Sequence, residues 1–135
     1  MTKVLVNIDV GDIAAGEAFY CAAFSLAPAR RLGKDALELV GANCTFFLLA
    51  NAEGTQASAT SAARRSYDRH WTPVHLDFVV ESLEAALERS LAAGATQEGD
   101  VRDNSWGRIV TMADPFGHGY CLIEFSEAGY DAIAS

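Results

Sequence analysis

Val74-His75-Leu76-Asp77-Phe78-Val79-Val80-Glu81-Ser82-Leu83 decides the fold, because the chain carries this pattern twice. The earlier copy is Val4-Leu5-Val6-Asn7-Ile8-Asp9-Val10-Gly11-Asp12-Ile13, at a constant offset of 70 residues. In each copy apolar residues recur at every second position, which is the signature of a half-buried strand. Each strand then meets a residue that caps helices, Asp12 in the first copy and Ser82 in the second. Such a side chain accepts hydrogen bonds from the free N–H groups of a first helical turn. Each copy is therefore a strand running into a helix.

Working outward, the first helix is expected to reach about Phe24, with Ile13, Gly16, Tyr20 and Phe24 on one stripe. Strands follow at about 29–32, 36–40 and 44–49, separated by Gly33 and by Gly41-Ala42-Asn43. The second helix has Leu83, Ala86, Leu87 and Leu91 on one face and ends at Gly94. Strands are expected near 97–101, 107–113 and 120–125. Asp114-Pro115-Phe116-Gly117-His118-Gly119 reads as a tight turn between the last two, because Pro fixes φ and Gly accepts positive φ. A later strand also recurs, Thr45-Phe46-Phe47-Leu48-Leu49 against Tyr120-Cys121-Leu122-Ile123-Glu124, at an offset of 75. This alignment makes His75 the counterpart of Leu5, and Glu124 the counterpart of Leu49.

The fold class is α+β, with two β-α-β-β-β modules in one domain over 1–135. Module one covers about 3–50 and module two about 73–126. A linker over 51–72 is rich in small residues and ends in Tyr67, His70 and Trp71. A long irregular connection of this kind is a mobile linker or a lid over a binding site. The tail, 127–135, is expected to be a loosely attached end.

Composition narrows the function. The net charge of −8 disfavours nucleic acid and anionic membranes as partners. No apolar run reaches the roughly 20 residues that span a bilayer. The start of the chain lacks a signal-peptide pattern, so a cytoplasmic location is expected. Cys21, Cys44 and Cys121 are odd in number and form no C-x-x-C pair. They read as free, packed thiols rather than a disulfide framework.

The element order, with His75 on the first strand of a module and Glu124 on its last, resembles the vicinal oxygen chelate superfamily. That group includes glyoxalase I, the bleomycin-resistance proteins and the extradiol dioxygenases. The resemblance covers about residues 3–126. It rests on the stretch from Val74 to Val80, on Phe19-Tyr20, Gly94-Ala95 and Trp106-Gly107-Arg108, and on Asp114-Pro115-Phe116-Gly117-His118 before Leu122-Ile123-Glu124-Phe125. It implies curved mixed sheets enclosing a shared cavity, a small-molecule ligand and a homodimer. It also implies metal ligands on the first and last strands of each module, here Leu5, Leu49, His75 and Glu124.

Only the last two of these positions carry donors, and a catalytic divalent ion usually takes three protein ligands. The expectation is therefore a small-molecule binding protein with no cofactor. His75 and Glu124 would be its polar pair, and Leu5, Asn7, Phe47, Leu49, Asp77, Trp106 and Arg108 would complete the ligand-binding set. Asp77 shares a strand face with His75. It could complete a His75, Asp77, Glu124 site for zinc, nickel, manganese or iron. That arrangement would give a metal-dependent lyase or dioxygenase. A third reading is a metal-free isomerase using His75 and Glu124 as acid and base. His70 and His118 are read as loop residues, not ligands.

Overall fold

The computed structural model describes residues 1–135, which divide into two compact units, 1–68 and 69–135. The first unit contains β1 (Leu5–Val10), α1 (Ile13–Phe24), β2 (Ala27–Arg31), β3 (Ala36–Val40) and β4 (Thr45–Ala50). The second contains β5 (Leu76–Val79), α2 (Leu83–Ala93), β6 (Thr96–Asn104), β7 (Gly107–Ala113), β8 (Gly119–Phe125) and a short 3-10 turn, Gly129–Ala132. Both sheets have four strands and one topology, β1-β4-β3-β2 and β5-β8-β7-β6. The first and last strands of each module run parallel, and the other neighbours are antiparallel. The chain is thus α+β, built from a duplicated β-α-β-β-β module. No helix is long and apolar enough to cross a membrane.

In the first unit, the Asp12 side chain accepts from the backbone N–H of Ala14 and starts α1. The helix buries Gly16, Phe19, Tyr20 and Ala23. Gly16 lies against Val10 and Leu48, where a side chain would crowd both. The strand face under the helix carries Ile8, Val10, Leu37, Leu39, Phe46 and Leu48, all buried. Burying a Leu or Phe side chain stabilises by roughly 1.5–3 kcal/mol, so this face is a main support of the unit.

The second unit repeats this construction. Ser82 accepts from the N–H of Ala85 to cap α2, and Gly94 ends the helix in the left-handed region. Val110, Met112, Tyr120 and Leu122 form the buried face beneath the helix. Gly107 has φ +146°, and a Cβ there would collide with the Glu124 carbonyl, so only glycine fits.

In the tail, Tyr130 packs against Phe125 and Trp106. One expectation is corrected. The expected strand at 97–101 extends to Asn104 and carries a register shift between Glu98 and Arg102.

The linker is irregular but tied to its own sheet. Gln56 and Arg64 form an isolated bridge, and Arg65 donates to Asp9 at 2.8 Å. Tyr67 donates its hydroxyl hydrogen to the Asn51 carbonyl.

Candidate functional site

Each sheet has one face against its helix and one open face. On β5 the open face carries His75, just before the strand, together with Asp77 and Val79. The parallel ladder pairs Leu76 with Tyr120 and Asp77 with Cys121. Paired residues of a ladder project to the same side, so Cys121 joins Asp77 and His75 on the open face. Their donor atoms all lie within 4.8 Å of one another. His75 Nε2 stands 3.2 Å from Asp77 Oδ1.

Neighbouring strands and the start of the unit frame this cluster. The Thr111 hydroxyl lies 3.8 Å from Cys121 Sγ. The Trp71 ring packs on the His75 imidazole with centroids 4.6 Å apart, and Trp71 is 48% exposed. Arg69 lies over the Trp71 ring and donates two hydrogen bonds to Glu98. Gly119 makes room for this arrangement, because a Cβ there would strike both the Trp71 ring and the Arg69 guanidinium. Burial pushes the Cys121 thiol up; its hydrogen bond with Thr111 opposes this, the Asp77 charge adds to it, and Arg102 opposes it.

Glu124 does not belong to the cluster. It accepts from Arg108 Nε at 3.1 Å and Nη2 at 2.6 Å, and from the N–H of Leu83 at 3.2 Å. Arg108 also donates to both oxygens of Glu84 on α2. Glu84 is held down to about 2, chiefly by those hydrogen bonds. This network fastens the start of α2 to the sheet, and Glu124 lies on the helix side. Glu124 follows the Val79–Ile123 pair, whereas His75 precedes the Leu76–Tyr120 pair. Along the strand that is about five residues, roughly 16 Å.

The reason is a register error in the expected alignment. In the first unit the ladder pairs Val6 with Phe46 and Asn7 with Phe47. With first strands offset by 70, Phe46 corresponds to Tyr120 and Phe47 to Cys121, an offset of 74 rather than 75. Slipping a strand by one residue moves every side chain to the other face. Cys121, not Glu124, is therefore the last-strand residue beside His75, and Leu49 is the counterpart of Ile123. The aromatic pair Phe46-Phe47, set against Tyr120-Cys121, was the signal for this alignment.

The other expected site residues take these places within their own units. Leu5 and Asn7 lie exposed on the open face of β1. Phe47 and Leu49 lie half-buried on the matching face of β4, opposite the buried Phe46. Trp106 packs on Phe125 and Tyr130 instead of lining a cluster with His75. Arg108 is engaged by carboxylates. The metal set implied by the resemblance does not fit: Leu5 and Leu49 have no donor atom, and Arg108 and the helix N-terminus hold Glu124.

A family model described as a glyoxalase-like domain matches residues 5–123. Among curated proteins, the anthracycline biosynthesis protein DauV of Streptomyces sp. (strain C5) is 30% identical over 129 residues, 96% of this chain and 43% of that protein. An uncharacterised protein of Mycobacterium tuberculosis (strain ATCC 25618 / H37Rv) is 42% identical over 52 residues, 38% of this chain and 31% of that protein. The chain thus spans less than half the length of these curated relatives. Among solved structures, the fosfomycin resistance protein FosX from Listeria monocytogenes superposes with a TM-score of 0.70 at 18% identity, over 94% of this chain and 95% of that one. Lactoylglutathione lyase from Agrobacterium tumefaciens gives a TM-score of 0.62 at 19% identity, over 91% and 92%. At these identities the structural likenesses concern the fold.

Proposed function

The chain belongs to the glyoxalase-like domain family, and we propose that it binds a small organic molecule on the open face of the β5–β8 sheet. The observation that carries this reading is the exposed His75–Asp77 pair beside the exposed ring of Trp71. A polar pair that fixes orientation beside an aromatic surface is the usual composition of a small-molecule site. An imidazole next to a carboxylate can donate to or accept from a ligand oxygen. The relative named for anthracycline biosynthesis supports planar, oxygen-bearing aromatic compounds as the first probes. Recognition of this kind needs no metal from the positions that the resemblance implies.

The test is a thermal-shift panel of such compounds on the full chain in the presence of chelator. A bound ligand at a hundredfold its Kd would stabilise the protein by about 2.7 kcal/mol. The shift is expected to shrink in His75→Ala and in Trp71→Ala. A panel that shifts nothing, or a shift that survives both substitutions, overturns the reading.

A second reading, a metal-dependent lyase or dioxygenase with an unusual ligand set, draws support from the proximity of Cys121 to His75 and Asp77. The reading as a His75/Glu124 isomerase draws none from the geometry, because Arg108 holds Glu124 on the helix side.

A further inference from the structure

We propose that the ligand of the β5–β8 open face carries an anionic group of the carboxylate type, and that Arg102 receives it. The proposal rests on the small-molecule reading above and deepens it, by naming the class of ligand and a residue that selects it.

The ladder places Arg102. It pairs with Ile109 on β7, Ile109 pairs with Ile123 on β8, and Ile123 pairs with Val79 on β5. Paired residues project to one side, and residues two apart on a strand share that side. This row therefore faces the same way as Thr111, Cys121 and Asp77. Asp103 and Arg108, the neighbouring pair, face the helix instead. Between the Glu98–Thr111 and Arg102–Ile109 pairs β6 carries extra residues, Gly99 among them at φ +91°. Such a bulge bends its strand and re-aims the side chains beside it.

No carboxylate of the unit holds this guanidinium. Arg69 is tied to Glu98, and Arg108 to Glu84 and Glu124, whereas the exposed side chain of Arg102 forms no ion pair. The chain has 18 acidic residues against 10 basic ones, so carboxylates are plentiful, and Arg102 still stands clear of them. Its charge nevertheless reaches the clustered side chains. Burial pushes the Cys121 thiol up, and the Arg102 charge is among the forces that oppose this. The guanidinium is thus close enough to the open face to act on a group bound there.

Three kinds of surface follow one another across this face. His75, Asp77 and the Trp71 ring form one end. Val79, Ile123 and Ile109 form an apolar row, and Arg102 closes it. From His75 to that row is roughly 13 Å along the strand, and from β5 to β6 is roughly 14 Å across the sheet. The long side chains shorten this diagonal from both ends. What remains suits a flat skeleton of two or three fused rings with its anion at one end. A guanidinium grips a carboxylate through two parallel N–H donors, which a neutral amide cannot match. A protein of net charge −8 repels anions at long range, so selecting one takes a local cation on the site itself.

The test uses probes that differ in charge but hardly in shape. The first pair is anthraquinone-2-carboxylate and anthraquinone-2-carboxamide, followed by each acid of the thermal-shift panel with its amide. Calorimetric titration of the full chain, at neutral pH with chelator present, measures both members. In the wild type the acid is expected to bind about tenfold tighter than the amide. Arg102→Gln should erase that preference and leave the amide unchanged. Arg102→Lys should keep part of it, because an ammonium retains the charge without the fork. Arg89→Gln, at an exposed arginine on α2, is the control for net charge and should alter neither probe. Far-UV circular dichroism verifies that each variant folds.

Equal affinity for acid and amide in the wild type overturns the proposal and leaves the small-molecule reading standing. So does a preference that survives Arg102→Gln, or one lost equally in Arg89→Gln. Failure of every pair to bind overturns both.

Discussion

Where the second sheet sets His75, Asp77 and Cys121 side by side, the first sheet sets Leu5, Asn7 and Phe47. The strand order beneath is the same, and so is the helix-packed core. The buried residues keep their character between modules, as Leu48 and Leu122 show; both are fully buried at equivalent positions. The open faces do not. Packing constrains the volume and polarity of every residue under a helix, whereas an open face tolerates exchange of an apolar group for a donor. On this face the first module uses Asp9 to hold the linker through Arg65 and Asn51. The second leaves Asp77 to His75.

The strongest way to break this comparison is through the shared core. Leu48→Ala and Leu122→Ala should each cost about 2–5 kcal/mol in chemical denaturation. A large loss at one position and a negligible one at the other would mean that the modules are not equivalent scaffolds.

The next effect separates fastening from function within the second module. Glu124→Gln should lower stability by roughly 1 kcal/mol, because it weakens partly exposed bonds to Arg108, and it should leave ligand binding unchanged. His75→Ala should do the reverse, with stability within about 0.5 kcal/mol of wild type. Equilibrium unfolding and the binding titrations, run on both variants, check this; loss of uptake in Glu124→Gln would return that residue to the site.

A comparable loss, about 1 kcal/mol or less, is expected from Asp9→Asn. Its sharper readout is faster hydrogen exchange or proteolysis within residues 52–66, with the exchange of β5 unchanged. Retained protection would show that Arg65 does not hold the linker.

The smallest effect lies in the acid limb of stability. Arg108 depresses Glu84 from an ordinary 4.5 to about 2. A depressed carboxylate contributes stability that is present above its unfolded value and lost as pH falls through its folded value. The loss should therefore run from about pH 4.5 down to about 2, and Glu84→Gln should flatten that segment of a stability–pH curve.

The duplicated fold was legible because period-two strands, two helix caps and a constant offset repeat along the chain. His75 and Asp77 were legible for the same reason, since residues two apart on a strand share a face. Cys121 was not, because its place depends on the register between distant strands. Apolar sequences such as Thr45-Phe46-Phe47-Leu48-Leu49 and Tyr120-Cys121-Leu122-Ile123-Glu124 align plausibly at either of two offsets. The ladder decides between them, and the match of Phe46 to Tyr120 is the sequence signal that favours the right one. The roles of Arg108 and Trp106 were equally hidden, as both depend on partners brought in by folding, Glu84 and Tyr130.

Two of the three clustered donors ride on or beside β5, four residues long and at one edge of its sheet. Edge segments open more readily than the core they border. The lifetime of the assembled cluster is then set by fraying of that strand, not by unfolding of the molecule. Warming should scatter the three donors while both helices still stand, and an occupant that bridges Asp77 to Cys121 would act as a rivet across the seam.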